Sequence, residues 1–304
     1  MLIDIHQHIW TEPLLEALAA RRSLPFVHRR DGLTVLHAAG EQPYVIDTES
    51  ERPGRRASLM RADGVDVACV ALSSPVGIEA LPRDAAEPLI AAHVAGVSAL
   101  PDAFGFWGAV PLDDPDPADV DRALRPRCVG ISLPACALAG RDALAASAVL
   151  LERVALRRVP LFVHPGPAPG MRVARGASLT EPLWWQPLTD YVAQMQAAWL
   201  TFAALGRREH LDLRVVFAML AGGAPLLSER LAARGGPTVE IRDPLVFYDT
   251  SSYGPAAVEA MARRVGAEQL VYGSDRPVVE PTATGREALL QANAARLFEL
   301  AVAA

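Results

Sequence analysis

The 304-residue sequence predicts an α/β protein built as a single (β/α)8 TIM barrel. Three observations predict it. Short apolar runs alternate with longer amphipathic ones along the whole chain. No stretch rich in glycine, proline or charge divides the chain, so residues 1–304 read as one domain. Histidine and aspartate recur where those short runs end, which is the rim where barrels keep their chemistry. A doubly wound open sheet is the alternative architecture.

The strand candidates, in order, are Leu2–His8, Val67–Leu72, Gly105–Val110, Val129–Leu133, Leu161–His164, Leu213–Ala218, Leu245–Tyr248 and Gln269–Tyr272. Most are β-branched or aromatic runs closed by Pro, Gly, Asp or Ser, as buried parallel strands tend to be. Among the helix candidates, Leu188, Tyr191, Val192, Met195, Trp199 and Phe202 recur at steps of three and four and form one apolar stripe. Ala143–Arg157, Pro225–Ala233, Ala256–Val265 and Gly285–Leu300 read similarly.

Two segments fall outside simple strand–helix units. Residues 21–53 are polar, carry several basic side chains and lack helical periodicity, which predicts an insertion after the first strand containing a short hairpin. Residues 165–187 follow the fifth strand and hold PGPAPG, two arginines and Trp184–Trp185. A loop at that place is either a lid, closed by Trp184, Trp185, Arg172 and Arg175, or a disordered excursion.

Composition excludes several function classes. A net charge of −6 gives no reason to expect a nucleic-acid partner. Cys69, Cys128 and Cys136 follow no metal or disulfide spacing and read as thiols of a reduced compartment. Asp4, His6 and His8 interrupt the place of a secretory apolar region. The longest uncharged stretch, Tyr191 to Gly206, is too short and too polar to span a bilayer. The expected setting is therefore cytoplasmic, with no membrane partner.

The chemistry begins at IDIHQHIW. On a strand, side chains at i and i+2 share a face, so His6 and His8 project side by side from the end of the first strand. The fifth strand ends in FVHPG with His164, and the eighth in VYGSDRP with Asp275. Three imidazoles and a carboxylate make a site suited to Zn²⁺, alternatively Mn²⁺ or Fe²⁺. Each residue alone is weak evidence, because a strand-end histidine can simply satisfy a carbonyl. Together, at different strand ends in barrel order, they predict a metal centre.

The same stretches resemble the amidohydrolase superfamily, most of all its amidohydrolase-related branch. That branch includes aminocarboxymuconate-semialdehyde decarboxylase, γ-resorcylate decarboxylase and 2-pyrone-4,6-dicarboxylate lactonase. DIHQH, MRADGVDVACVAL, FGFWGAVPL, FVHPG, RVVFAMLAGGAPLLSER, FYDTSSYG, YGSDRP and NAARLFEL fall in family order over nearly the whole chain. The resemblance implies that His6, His8, His164 and Asp275 are the metal ligands and that Arg230 binds a substrate carboxylate; because relatives are commonly dimers, it also makes a homodimer one candidate assembly. Trp107, on the third strand, is a candidate to line the substrate pocket.

One departure bears on mechanism. Where the family carries a histidine at the end of the sixth strand, this chain has Met219, within Ala218-Met219-Leu220-Ala221-Gly222-Gly223. A thioether has no titrating proton and is a weak ligand for Zn²⁺. The leading expectation is therefore hydrolysis of an amide, lactone or ester in a small carboxylate. A metal-bound water would be the nucleophile, with Asp275 as ligand and proton acceptor. The alternatives are non-oxidative decarboxylation of an aromatic or unsaturated acid, and a degenerate barrel that binds a metabolite without turning it over.

Overall fold

The computed structural model describes residues 1–171, 181–281, 284 and 287–299. Eight strands form one parallel sheet in sequence order: β1 Ile3–Gln7, β2 Val67–Val70, β3 Phe104–Ala109, β4 Cys128–Pro134, β5 Leu161–His164, β6 Val215–Phe217, β7 Val246–Asp249 and β8 Leu270–Val271. Every expected strand is present. The sheet closes on itself where the chain past β8 bonds to β1. Ile5 N–H donates to Tyr272 O at 2.9 Å, Asp275 N–H to His6 O at 2.8 Å and His8 N–H to Arg276 O at 2.7 Å. This is a closed barrel, and the open-sheet alternative is set aside.

The interior explains why these runs are strands. Parallel strands covered on both faces have no polar side to show, so β3 and β5 are buried at every residue. Phe104, Phe106, Trp107, Ile131, Phe162, Val163, Val216, Phe217 and Phe247 belong to one continuous core.

Around the barrel lie α1 Glu12–Ala19, α2 Pro53–Ala62, α3 Arg83–Ser98, α4 Pro117–Ala123, α5 Arg141–Leu156, α6 Asp190–Thr201, α7 Ser228–Ala233, α8 Pro255–Val265 and α9 Glu287–Leu297. The apolar stripe read from Leu188 to Phe202 is α6, whose Met195, Ala198 and Trp199 are buried. The helix expected over Pro225–Ala233 begins only at Ser228. Before it, the chain leaves β6 through a left-handed turn, with φ of 44° at Met219, 50° at Leu220, 53° at Ala221, 58° at Gly222 and 75° at Gly223. Side chains other than glycine pay about 1–2 kcal/mol each in that region. The last two positions carry no such penalty. Gly222 is required for a second reason: a Cβ there would lie 2.8 Å from the carbonyl oxygen of Val192 on α6.

The insertion over residues 21–53 is more than a hairpin. Phe26–Arg30, Leu33–His37 and Tyr44–Ile46 form a three-stranded antiparallel meander. Its Val27, Leu36 and Ile46 share a second apolar cluster with Leu14, Leu15 and Leu18 of α1 and with Ala86, Leu89 and Ile90 of α3. The meander is thereby packed beside the mouth of the barrel. Among the described residues, no helix is long and apolar enough to cross a membrane.

Candidate metal centre

His6 and His8 do project from one face of β1. Their rings meet edge to face with centroids 5.0 Å apart, and the ring of His164 lies 4.9 Å from His6 and 5.0 Å from His8. The Nε2 atoms of His6 and His8 are 3.2 Å apart. Asp275 Oδ1 is 3.2 Å from His8 Nε2 and 3.4 Å from His6 Nε2. One donor atom from each of His6, His8, His164 and Asp275 falls within 4.8 Å of every other. Four groups separated by up to 269 positions thus converge at the C-terminal ends of β1, β5 and β8.

Hydrogen bonding on the far side of each ring decides what this cluster suits. His8 Nδ1–H donates to Ala71 O at 2.9 Å, and His164 Nδ1–H to Pro165 O at 2.9 Å. His6 Nδ1 is 2.5 Å from Asp249 Oδ2. With each Nδ1 carrying its proton, all three Nε2 atoms present bare lone pairs to one another and to a carboxylate. That crowding calls for a positive charge between them, supplied by a metal ion or, without one, by a proton on His6. Two ligands each about 2.1 Å from one ion are about 3.0–3.4 Å apart at octahedral or tetrahedral angles, which the separations among His6, His8 and Asp275 match. The residues present fit a divalent ion.

The local field points the same way. Burial opposes a charge on His6, but Asp249 and Asp275 outweigh it and lift its imidazole to about 9. Burial, reinforced by His6 and His8, drives His164 well down, so it offers a neutral nitrogen. Burial pushes the Asp275 carboxyl up, yet His6, His8 and His164 together hold it below its ordinary value. Asp275 is also more open than the histidines of β1, its side chain 16% exposed against 2% for His6 and His8.

Asp249, at the end of β7, has no role in the sequence reading. It is fully buried, and it also accepts from Ser251 N–H at 2.5 Å and Ser251 Oγ–H at 3.0 Å. The carboxylate that orients a ligating histidine fixes its tautomer and raises its basicity. Its sequence signal is faint: one more aspartate at a strand end, followed by hydroxyl residues that cap it. Gly273 makes room for the pair, because a Cβ there would fall on Asp249 Oδ1 and lie 2.8 Å from His6 Cβ. Asp4 braces the other side. It accepts from His6 N–H and Ser274 N–H, each at 3.0 Å, and so joins β1 to the segment that carries Asp275.

The remaining expected site residues are placed less centrally. Trp107 is fully buried, donates to Ile5 O at 2.7 Å and stacks on Phe162 at 5.1 Å. Phe162 in turn meets the His6 ring at 5.0 Å. Trp107 therefore offers no free face to a substrate; it supports His6 from within the barrel, which corrects its assignment to the pocket wall. Arg230 is exposed on α7, and its side chain makes no hydrogen bond or ion pair to a described residue. Trp184 and Trp185 pack on each other at 5.7 Å and remain 58% and 46% exposed. Arg172 and Arg175 lie outside the described residues. Met219 stands at the end of β6 as expected, half-buried against the barrel core.

No protein-family model matches the sequence, and no curated protein matches it either. Solved structures do match. The IDCase of Metarhizium anisopliae aligns over 99% of this chain and 97% of its own, with a TM-score of 0.77 and 17% identity. The two share the fold of the whole barrel. The 5-carboxyvanillate decarboxylase of Novosphingobium aromaticivorans, complexed with manganese and 4-hydroxy-3-methoxy-5-nitrobenzoic acid, aligns over 99% of this chain and 96% of its own. Its TM-score is 0.71 and its identity 17%. A dihydroxybenzoic acid decarboxylase of Polaromonas sp. JS666, with bound manganese and the inhibitor 2-nitroresorcinol, aligns over 99% and 98%, with a TM-score of 0.64 and 16% identity. The resemblance read from the sequence thus extends to the fold of the whole chain.

Proposed function

We propose that this protein is a metal-dependent carboxy-lyase that removes CO2 from a small aromatic or unsaturated carboxylic acid without oxidation. One observation carries the reading: three bare Nε2 lone pairs and Asp275 converge on one point in a barrel of the shape used by manganese-holding decarboxylases. Mn²⁺ is the first choice of ion and Zn²⁺ the second. His6, His8, His164 and Asp275 hold it, and when bound it supplies a fixed positive charge that draws and orients a carboxylate or phenolate oxygen. Asp249 keeps His6 turned inward and neutral at Nε2. Asp275, beside the three imidazoles, serves as the anionic member of the set. The three free cysteines suit a cytoplasmic setting.

Met219 favours a second reading, hydrolysis of a lactone, ester or amide, because that chemistry does not need an imidazole at the end of β6. A single experiment separates the two. Protein loaded with Mn²⁺ or Zn²⁺ is supplied with hydroxybenzoates, carboxyvanillate and unsaturated dicarboxylic acids, and with matching lactones and esters. CO2 release that needs metal and is lost in Asp275→Asn supports decarboxylation. Acid production from lactones without CO2 moves the assignment to hydrolysis. A metal-replete protein inert towards every compound, but active as Met219→His, indicates a barrel that only binds.

A further inference from the structure

Decarboxylation leaves a carbon that must take a proton, and hydrolysis leaves an atom that must also take one. With Met219 at the end of β6, that imidazole is missing as a donor. Asp275 is a poor donor in this reading, since a carboxylate that ligates a cation is deprotonated. A different group has to bring the proton in.

The meander connection carries Glu41, between the strands Leu33–His37 and Tyr44–Ile46. Tyr191 Oη–H donates to Glu41 Oε2 at 2.7 Å, and Gln186 Nε2–H donates to Glu41 Oε1 at 2.7 Å. Tyr191 stands in the first turn of α6, and that helix is fastened to the site at two points. Gly166 N–H, just past His164, donates to Gln194 Oε1 at 2.8 Å. Gln196 Nε2–H donates to Gly222 O, in the turn that begins at Met219, also at 2.8 Å. Tyr191 is therefore held on the element that joins the ends of β5 and β6. The charge of Asp275 reaches it: burial, then Glu41, then Asp275 keep its phenol protonated well above the ordinary range.

We infer that Tyr191 delivers the proton to the substrate and that Glu41 stores and resupplies it. This rests on the carboxy-lyase reading. In the working form the contact is reversed: neutral Glu41 Oε2–H donates to Tyr191 Oη and the phenol O–H turns to the substrate, so Glu41 passes its carboxyl proton to the Tyr191 oxygen as the phenol proton moves to the carbon bearing the carboxylate. The carbon–carbon bond to the carboxylate then breaks, its electron pair returns to the π system, and CO2 leaves. Glu41 ends as a carboxylate and takes a new proton from water. Each turnover consumes one proton.

Glu41 is suited to the store. Burial pushes its carboxyl up to about 7, against the hydrogen bonds from Tyr191 and Gln186 and with the help of Asp190. The groups facing it are Tyr191 and Asp190 from α6 and Gln186 from the preceding turn. No guanidinium is hydrogen-bonded to it among the described residues. The working form is protonated, so kcat/KM, which reports the free enzyme, falls as pH rises through about 7.

The test uses the full-length manganese-loaded protein with whichever acid the wild type decarboxylates. Glu41→Gln and Tyr191→Phe should each lower kcat/KM by about 100-fold or more. Glu41→Gln should also erase the fall near neutrality, and Glu41→Asp should restore part of the rate together with a pH limb. Metal content and binding of 2-nitroresorcinol should stay near wild type in all three. Either deletion remaining within a few-fold of wild type, or a limb that survives Glu41→Gln, overturns the inference. If the wild type releases no CO2 from any acid, the carboxy-lyase reading fails by itself. The pair is then judged by ¹³C titration of the Glu41 carboxyl. Titration near neutrality that shifts in Tyr191→Phe sustains it, and titration in the ordinary carboxylate range overturns it.

Discussion

His6 is asked to do two things at once. Its Nε2 must stay bare for a cation, while its Nδ1 must hold a proton in a fully buried pocket. Asp249 resolves the conflict by accepting from Nδ1–H at 2.5 Å. An asparagine there keeps the size of the side chain and both Ser251 contacts but removes the charge, and its amide can turn a donor toward His6. We expect Asp249→Asn to fold normally and to weaken affinity for Mn²⁺ or Zn²⁺ by about 10–100-fold, as outer partners of ligating histidines do. Isothermal titration of metal-stripped protein measures it. An unchanged Kd would mean that Asp249 is only a structural acceptor. That Asp275 joins the three histidines, by contrast, was legible from its strand end and motif alone, because few side chains suit a metal while an orienting group has several chemical solutions.

At the scale of elements, the turn after β6 is the piece that fixes α6 over the site. Gly222 meets Val192 backbone too closely for any Cβ and has φ of 58°. Gly222→Ala should therefore cost about 2–4 kcal/mol, since it combines a backbone clash with left-handed strain. The loss should be read in urea as a lower midpoint, with faster hydrogen exchange concentrated in α6. Exchange rising uniformly over the barrel would instead show that α6 is not separately anchored. The eight strands were readable because a strand buried on both faces must be a continuous apolar run, a pattern that needs no partner to recognise. Helices α1 to α4 were less readable; α2, for example, buries only Arg56, Ala57 and Met60 and shows no apolar stripe. The meander resisted for a related reason. Its pairing depends on packing against α1 and α3, and the Glu41–Tyr191 bond spans 150 positions between two polar segments. Local pattern holds no trace of such a contact.

Across the whole molecule, the proposed ligand set would do more than hold an ion. His6 and His8 come from the first strand, Asp275 from the residues that close the barrel onto it, and His164 from the fifth strand on the other side. An ion bound by all four cross-links the seam of the barrel to its far wall, and the unfolded chain, with the ligands dispersed, cannot match that site. A ligand that binds only the folded state stabilises it by RT ln(1 + [L]/Kd), about 2.7 kcal/mol at a hundred times Kd. Heating scans should therefore show the midpoint rising continuously with free Mn²⁺ or Zn²⁺ and falling to a floor in chelator. In Asp275→Asn the same additions should move the midpoint much less, because the seam then offers a neutral amide in place of the carboxylate. The chelated wild type is the reference, which separates loss of the ion from damage caused by the substitution. A reversible transition whose midpoint ignores metal, in protein shown to contain it, would mean that the ion binds a site already rigid or one also present in the unfolded chain. The four side chains would then be a cluster without a share in closing the barrel.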